Sequence, residues 1–329
     1  MIKLNPKLFD EEVERVATRD GYGQGLVRLG ESNKNVVVLC GDLTESTRSL
    51  AFADQFPKRF FEIGVAEQNM MGIAAGLALS GKVPFVSSYA VFNPGRNWDQ
   101  FRVSVCYSQA NVKVAGAHAG ISVGPDGATH QALEDIAITR VLPELTVIVP
   151  CDSIETKKAT IASANDVVGP VYLRFGREKS PVVTTEESTF IIGKAEILRE
   201  GSDATIVACG ILVYEALVAS EKLSKQGINV EVINSHTIKP LDGATIVGSL
   251  QKTGALVTAE EHQVAGGMGS AILEVSSQFF PVPTVMVGIQ NRFGESGKPE
   301  ELLEKYGLKS TNIVEAVKKV IAKKQGKNK

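Results

Sequence analysis

Residues 35–46 read Asn-Val-Val-Val-Leu-Cys-Gly-Asp-Leu-Thr-Glu-Ser. The candidate strand Asn35–Cys40 is apolar after its first residue and mostly β-branched, with no polar alternation. A strand of this kind must be covered on both faces, and Gly41 marks its end. The same pattern recurs at Val83–Ser87, Val112–Ala115, Thr146–Val149 and Val171–Leu173. Stretches with helical character separate these runs: Glu67–Leu79, Asn97–Tyr107, Ala132–Arg140 and Ser153–Ala164, with Asp10–Glu31 as an opening helix. Strands alternating with helices predict a mostly parallel, twisted α/β sheet with helices on both faces. A second series follows. Its strands are Ala204–Cys209, Asn229–Asn234, Ala255–Ala259 and Pro283–Val287. Its helices are Leu212–Gln226, Gly243–Leu250, Gly267–Phe280 and Glu300–Lys324. Between the two series lies the polar stretch Arg177–Phe190, the best linker candidate. It divides the chain into domains 1–190 and 191–329, each expected to hold its own sheet.

A length of 329 residues suits two such domains. Hydrophobic residues make up 43 % and charged residues 22 %, ordinary for a globular protein, so large cores need no disulfide or metal staple. The net charge of −2 argues against a nucleic-acid partner. The uncharged stretch Gln68–Gly81 is too short to span a bilayer, and the N-terminal residues lack the apolar core of a secretory signal. The four cysteines, Cys40, Cys106, Cys151 and Cys209, lie far apart with no CxxC pair. They read as reduced thiols of a cytoplasmic protein. His236 and His262 have no metal-ligand partners at useful spacing, so no metal site is expected on this chain. Gly266-Gly267-Met268-Gly269 is not a dinucleotide fingerprint and reads as close helix packing. The tail Lys318–Lys329 holds six lysines in twelve residues and reads as a solvated, fraying helix end.

Ligands of doubly wound sheets bind beyond the carboxyl ends of the strands. After the first strand stands Asp42, which reads either as a helix cap or as a ligand-facing group. After the second come Tyr89 and Phe92, two aromatics that either pack under a loop or line a site. After the third comes His118, then Gly124-Pro-Asp126-Gly-Ala-Thr-His130-Gln. Two of the chain's four histidines therefore share one glycine-rich loop ahead of a helix, which favours a site over a structural role. Glu67 opens a helix of small apolar residues, expected to be buried nearly all round. Its carboxylate is either partly desolvated, which disfavours the charged form, or exposed at the helix start.

Taken together, Glu62-Ile-Gly-Val-Ala-Glu67-Gln-Asn-Met, Ser87-Ser-Tyr-Ala-Val-Phe92, His118 with the Gly124–Gln131 loop, Leu142-Pro-Glu-Leu and Val149-Pro-Cys-Asp152 resemble the transketolase family. The resemblance covers nearly the whole chain but only the C-terminal half of a full-length transketolase. It points to the C-terminal subunit of a split, two-chain enzyme. It implies a pyrimidine-binding domain followed by the transketolase C-terminal domain, with thiamine diphosphate as cofactor. Glu67 would hydrogen-bond the aminopyrimidine and activate it. Phe92 and Tyr89 would stack on that ring, with Asp42 also in the cofactor-contacting set. His118 and His130 would contact the donor sugar and assist proton transfers. Asp126 would read a substrate hydroxyl, and Arg19, Ser46 and Arg177 would hold the substrate phosphate.

There are departures from the family pattern. Asn93-Pro94-Gly95 stands where the family has a third aromatic. The chain also lacks a G-D-G followed by N-N, the motif that holds Mg²⁺ and the diphosphate. The resemblance therefore implies an N-terminal partner subunit that carries Mg²⁺ (or Ca²⁺) and the diphosphate site, in an α2β2 assembly acting on sugar phosphates. Two related thiamine-diphosphate enzymes stay open as alternatives: the β subunit of a 2-oxoacid dehydrogenase and a deoxyxylulose-phosphate-synthase-like enzyme. A non-enzymatic binding half is a third.

Overall fold

The structure is a computed structural model and describes residues 3–326. The first half runs β1 (Arg15–Ala17), α1 (Thr18–Ser32), β2 (Val36–Cys40), α2 (Leu50–Gln55), β3 (Phe60–Glu62), α3 (Glu67–Leu79), β4 (Val83–Tyr89), α4 (Trp98–Gln100), β5 (Lys113–Ala117), α5 (Asp135–Arg140), β6 (Thr146–Ile148), α6 (Ser153–Asn165), β7 (Val171–Arg174) and β8 (Lys179–Pro181). The second runs β9 (Glu196–Arg199), β10 (Ala204–Ala208), α7 (Leu212–Ser224), β11 (Val230–Asn234), β12 (Thr237–Lys239), α8 (Gly243–Thr253), β13 (Leu256–Gln263), α9 (Met268–Phe279), β14 (Thr284–Ile289), α10 (Pro299–Lys305) and α11 (Ser310–Lys324).

The larger sheet has strand order β12-β6-β7-β5-β4-β2-β3, and the smaller has β14-β13-β10-β11-β9. Both are parallel except for one edge strand each: β12 pairs antiparallel with β6, and β9 with β11. The alternating two-faced fold expected from Val36–Cys40 is present. Val36 and Val38 enter one core cluster with Tyr22, Leu26 and Leu29 of α1 and Ala159 of α6. Val37 and Leu39 enter another with Met70, Met71 and Ala74 of α3. The second cluster runs on into Val207, Ile233, Met268 and Ile272, so the two halves share one apolar core. Among the described residues, no helix is long and apolar enough to cross a membrane.

Several elements differ from the expectation, each through tertiary contacts. The opening helix begins at Thr18, because Arg15–Ala17 is drawn out as a strand against Lys179–Pro181. The stretch Arg177–Phe190 is therefore not a loose tether. It contains β8, and the Val183 and Thr184 amides donate to the buried Asp152 carboxylate at 2.8 and 2.6 Å. Trp98–Gln100 is α-helical, but Phe101–Tyr107 winds as a π-helix. The helix expected from Ala132 starts at Asp135, since Ala132 is held in a bridge to Ala119. The last helix is broken after Lys305, where Gly307 takes φ +73°. Strands β9 and β12 add to the expected set, and each is only three or four residues long; β3 is the short strand-like run ahead of Glu67. The tail is helical to Lys324, and residues 327–329 lie outside the described residues.

A buried ion pair of the first half also reaches the second through one hydrogen bond. Arg174 at the end of β7 places Nε 2.8 Å from the Asp135 carboxylate, and Tyr172 donates to the same oxygen at 2.8 Å. The remaining guanidinium nitrogen Nη2 donates to the carbonyls of Ala132 and Glu261. Neighbouring carboxylates push the Arg174 pKa up against the opposing cost of burial. Arg174→Met leaves a buried carboxylate unpaired and is expected to lower the unfolding free energy by about 3–5 kcal/mol. Urea denaturation measures this. Combining it with Asp135→Asn, which keeps an acceptor for Tyr172, is expected to recover more than half of the loss.

Candidate functional site

The larger sheet reverses its winding at β2, with β3 on one side and β4 on the other. A crevice opens at such a reversal, beyond the carboxyl ends of the strands. Glu67 lies after β3, Tyr89 ends β4, His118 follows β5 and Arg177 follows β7. Strand order alone thus gathers most of the expected residues at one edge.

Glu67 is 1 % exposed although it opens a helix. Its Oε1 accepts from the Ser88 hydroxyl at 3.2 Å, and its Oε2 pairs with Arg96 Nη1 at 2.6 Å. The Asn97 amide donates to its backbone carbonyl at 3.2 Å. The desolvated alternative holds, but with a counter-charge the sequence reading missed. The Arg96 guanidinium also lies over the Phe92 ring, 4.4 Å from its centre. Helix α3 is not buried all round: Gln68, Asn69, Gly72, Ile73, Gly76 and Leu79 are exposed along one side.

Tyr89, Phe92, His118 and His130 form an aromatic box. Tyr89 stacks on His118 at 4.0 Å between ring centres, and Phe92 meets the His130 ring edge-on at 5.6 Å. His118 is buried and has φ +54°, a strained value for a residue with a side chain. Asp42 and Arg48 share this left-handed backbone at φ 60° and 65°. Three such residues at one crevice store about 1 kcal/mol or more each, which a well-braced loop must hold. The brace is visible. Gly120 donates to the Ala132 carbonyl, Ser122 donates its amide to Glu261 Oε1 at 2.6 Å, and the Gln131 amide reaches the carbonyls of Ile121 and Glu295. A Cβ on Gly120 would fall 2.3 Å from the Glu261 carboxyl carbon, so only glycine fits there.

Burial first, and then the charges of Arg19, Arg177 and Arg48, push His118 down to about 3. It is a neutral ring, and its Nδ1 has no hydrogen-bond partner. His130 shares a hydrogen bond with Thr129 Oγ1 at 2.9 Å. Arg19 donates to the Ser46 carbonyl at 3.0 Å, so these two candidates meet. Arg177 donates to Asp126 at 3.2 Å and to the Val123 carbonyl at 3.2 Å. A cleft of about 580 Å³ is lined by Arg19, Arg48, Arg177, Lys179 and Lys298, with Asp20 and Glu178 among the acidic neighbours. Arg48 is a further residue the sequence reading missed; nothing in its local pattern marks it.

Asp42 does not cap a helix. Its backbone amide donates to Glu62 Oε1 at 2.7 Å, and the next helix begins eight residues later behind Ser49. Asn93, in place of the third aromatic, is buried and donates to the carbonyls of Val86 and Ala115, clamping β4 to β5. The glycine run before α9 is filled by Glu260, whose carboxylate accepts the amides of Met268 and Gly269 at 2.7 and 2.8 Å.

Two family models match the chain: the transketolase pyrimidine-binding domain over residues 14–182 and the transketolase C-terminal domain over residues 193–313. A protein named as a transketolase C-terminal section from Methanocaldococcus jannaschii is 46 % identical over 302 residues, covering 91 % of this chain and 94 % of that one. The chain belongs to the transketolase family. A 6-deoxy-6-sulfo-D-fructose transketolase subunit from Clostridium sp. is 42 % identical, with coverage of 96 % and 98 %. Among solved structures, a split gene transketolase described as an inactive β4 tetramer superposes with a TM-score of 0.88 at 48 % identity, covering 93 % of this chain and 99 % of that one. The chain thus matches transketolase C-terminal subunits along nearly their full length.

A neutral His118 has a direct signature in this transketolase subunit. Its ring resonances are expected not to titrate between pH 8 and pH 5, followed by NMR. Global stability is the wrong readout. His118, His236 and His262, lowered by burial to about 3, 4 and 4, lose stabilisation as pH falls below the unfolded value near 6.5. Glu155, Glu196 and Glu260, raised by burial to about 8, 7 and 7, gain it as pH falls from 8 toward 4.5. The two sets oppose each other across the same range.

Proposed function

We propose that this chain is the pyrimidine-binding half of a thiamine-diphosphate-dependent transketolase, which moves a two-carbon ketol unit from a ketose phosphate to an aldose phosphate. The observation that carries the reading is the buried Glu67 carboxylate beside the Phe92 face. The Arg96 guanidinium, a flat hydrogen-bonding cation, touches both in this structure. An aminopyrimidine presents the same flat shape and polar edge, so the residues fit the group. Domains 1–190 and 191–329 follow the family order.

When bound, the cofactor supplies a nucleophilic carbon and an electron sink for the two-carbon unit. The chain's own residues do the rest. Glu67 would hold the polar edge of the aminopyrimidine and help activate it, in the place its carboxylate now gives to Arg96. Tyr89 and Phe92 wall the site and exclude water. His118 Nδ1, neutral and unpartnered, accepts a hydrogen bond from a sugar hydroxyl, and His130 with Thr129 moves a proton at a second oxygen. Arg19, Arg177 and Arg48, with the Ser46 segment, bind the terminal phosphate, and Asp126, released from Arg177, reads a hydroxyl. The same arginines would accept a sulfonate, the terminal group of the substrate named for the Clostridium relative.

A partner subunit supplies the diphosphate and the Mg²⁺ (or Ca²⁺) site. The exposed face of α3 supports this, since Gly72, Ile73, Gly76 and Leu79 lie on the same helix as Glu67. Val103 and Tyr107, on the π-helix packed against α3, are exposed as well. An α2β2 assembly would cover this face. The four cysteines are buried and free, in keeping with a cytoplasmic location.

The test is a ketol-transfer assay with xylulose 5-phosphate, ribose 5-phosphate, thiamine diphosphate and Mg²⁺. It is run on this chain alone and with an N-terminal subunit carrying G-D-G and N-N. Activity is expected only in the mixture; activity of the chain alone overturns the partner assignment. In the mixture, Glu67→Gln is expected to lower kcat by at least about a hundredfold with cofactor affinity retained. Unchanged turnover would remove Glu67 from its role. Arg177→Ala is expected to raise KM roughly tenfold for phosphorylated donors and to leave unphosphorylated ones unaffected. An equal effect on both kinds of donor contradicts phosphate binding.

A further inference from the structure

Away from the crevice, three chemistry-bearing side chains meet where the two halves join. Glu155 comes from α6, Glu196 opens β9, and His236 sits between β11 and β12. All are buried, at 2 %, 7 % and 0 % exposure. One ligand atom from each lies within 4.8 Å of the other two. The spacing along the chain, 41 and 40 residues, hides this cluster completely.

Two of the facing atoms have no partner: Glu196 Oε2 and His236 Nε2. The neighbouring Asn234 Oδ1 and Ser235 Oγ are unpartnered as well. Buried polar atoms are almost always satisfied, so several orphans in one place point to a missing species. No direct hydrogen bond joins Glu196 Oε2 to His236 Nε2. A cation with ligand bonds of about 2.0–2.2 Å bridges atoms up to roughly 4.4 Å apart.

The surroundings support each ligand. His236 Nδ1 lies 2.9 Å from Thr237 Oγ1, which itself accepts the Gly193 amide at 3.1 Å. With the proton on Nδ1, the Nε2 lone pair faces the cluster, the usual arrangement behind a metal-bound histidine. Phe190 packs on the imidazole at 4.3 Å between ring centres and fixes its plane. Glu155 is steadied by Asn234 Nδ2 at 2.8 Å and by the Cys151 amide at 2.6 Å, leaving lone pairs on both oxygens. The adjacent Asp152 is already saturated by the amides of Glu155, Val183 and Thr184 and the Thr184 hydroxyl. Lys158, the cation that acts on Glu196, donates instead to the carbonyls of Thr185 and Ser188. Two buried carboxyls thus lie close together with no cation hydrogen-bonded to either.

We propose that Glu155, Glu196 and His236 bind one divalent first-row cation of the zinc class, which staples α6 of the first half to β9 and the β11–β12 turn of the second. A nitrogen donor with two carboxylates suits zinc and disfavours Mg²⁺ and Ca²⁺, which take oxygen ligands. The two carboxylates balance the ion's charge in the buried site. The site shares no residue with the proposed transketolase crevice and stands whether or not that function holds.

The test uses the full chain, stripped with chelator and titrated with ZnCl₂ and, separately, with CoCl₂. One equivalent of Zn²⁺ is expected to bind saturably. At a hundredfold excess over Kd, Tm should rise by about 5 °C. Co²⁺ should give the strong visible bands of a site with low coordination number. Glu196→Gln and His236→Phe should each lose the bound equivalent and the bands with unchanged far-UV circular dichroism. Uptake that survives both substitutions places the metal elsewhere and overturns the proposal. If neither variant folds, the wild-type cobalt spectrum decides. The weak bands of hexa-aqua Co²⁺, or no saturable uptake, would falsify the assignment and leave the gap to water.

Discussion

The buried pair of Arg174 and Asp135 is the constraint on which the site rests. Two opposite charges removed from water are favourable only when nearly every polar atom finds a partner. Arg174 goes far toward that condition by spanning three segments: Asp135 at the start of α5, the Ala132 carbonyl in the histidine loop, and the Glu261 carbonyl in β13; the second Asp135 oxygen, Oδ1, stays unpartnered. Any shift of that loop or of the second half would strand a charge. The loop from His118 to Gln131, rich in glycine and strained at His118, is thereby held as firmly as a strand. Glu261 completes the hold from the other side through the Ser122 amide.

Placed on this frame, the crevice sets two kinds of charge against each other. Burial first, and then the charges of Arg19, Arg177 and Arg48, keep His118 neutral, while Arg48 pairs with Asp20 and Arg177 with Asp126 and Glu178. An anionic group arriving there would relieve the repulsion among the arginines that also helps to keep the His118 ring weakly basic and neutral. Across the box, Arg96 neutralises Glu67. A carboxylate so deeply buried needs a partner, and the Arg96 guanidinium supplies it at 2.6 Å.

The two halves are less separate than their order along the chain suggests. Strand β12 belongs to the second series yet extends the first sheet, and the core cluster around α3 continues into β10, β11 and α9. The Glu155–Glu196–His236 cluster lies on the same seam. Polar groups of the second half, Glu261 and the Glu295 carbonyl, meet the histidine loop at this seam.

Much was legible in the linear pattern. Runs such as Val36–Cys40 and Val171–Leu173 announce strands covered on both faces, because an unbroken apolar strand has no other stable place. The same pattern put Asp42, Tyr89 and His118 just after strands, and the motifs around them pointed to the transketolase family, which in turn implied Arg177. What the sequence could not show depends on separation in the chain. Arg48 and Arg96 reach the crevice from loops with no periodic signal. Strands β1, β8, β9 and β12 are too short to register, and they exist because a neighbouring strand offers an unpaired edge. The opening and closing helices were trimmed by such pairing and by Gly307. Sequence alone determined the layers, the strand ends and the residue types at the site, because these follow from local hydrophobic pattern. Only the tertiary structure decided which charges are paired, which imidazole is neutral and which face of α3 is bare. Those properties depend on burial and on distances between residues far apart in the chain, and neither is written in local pattern.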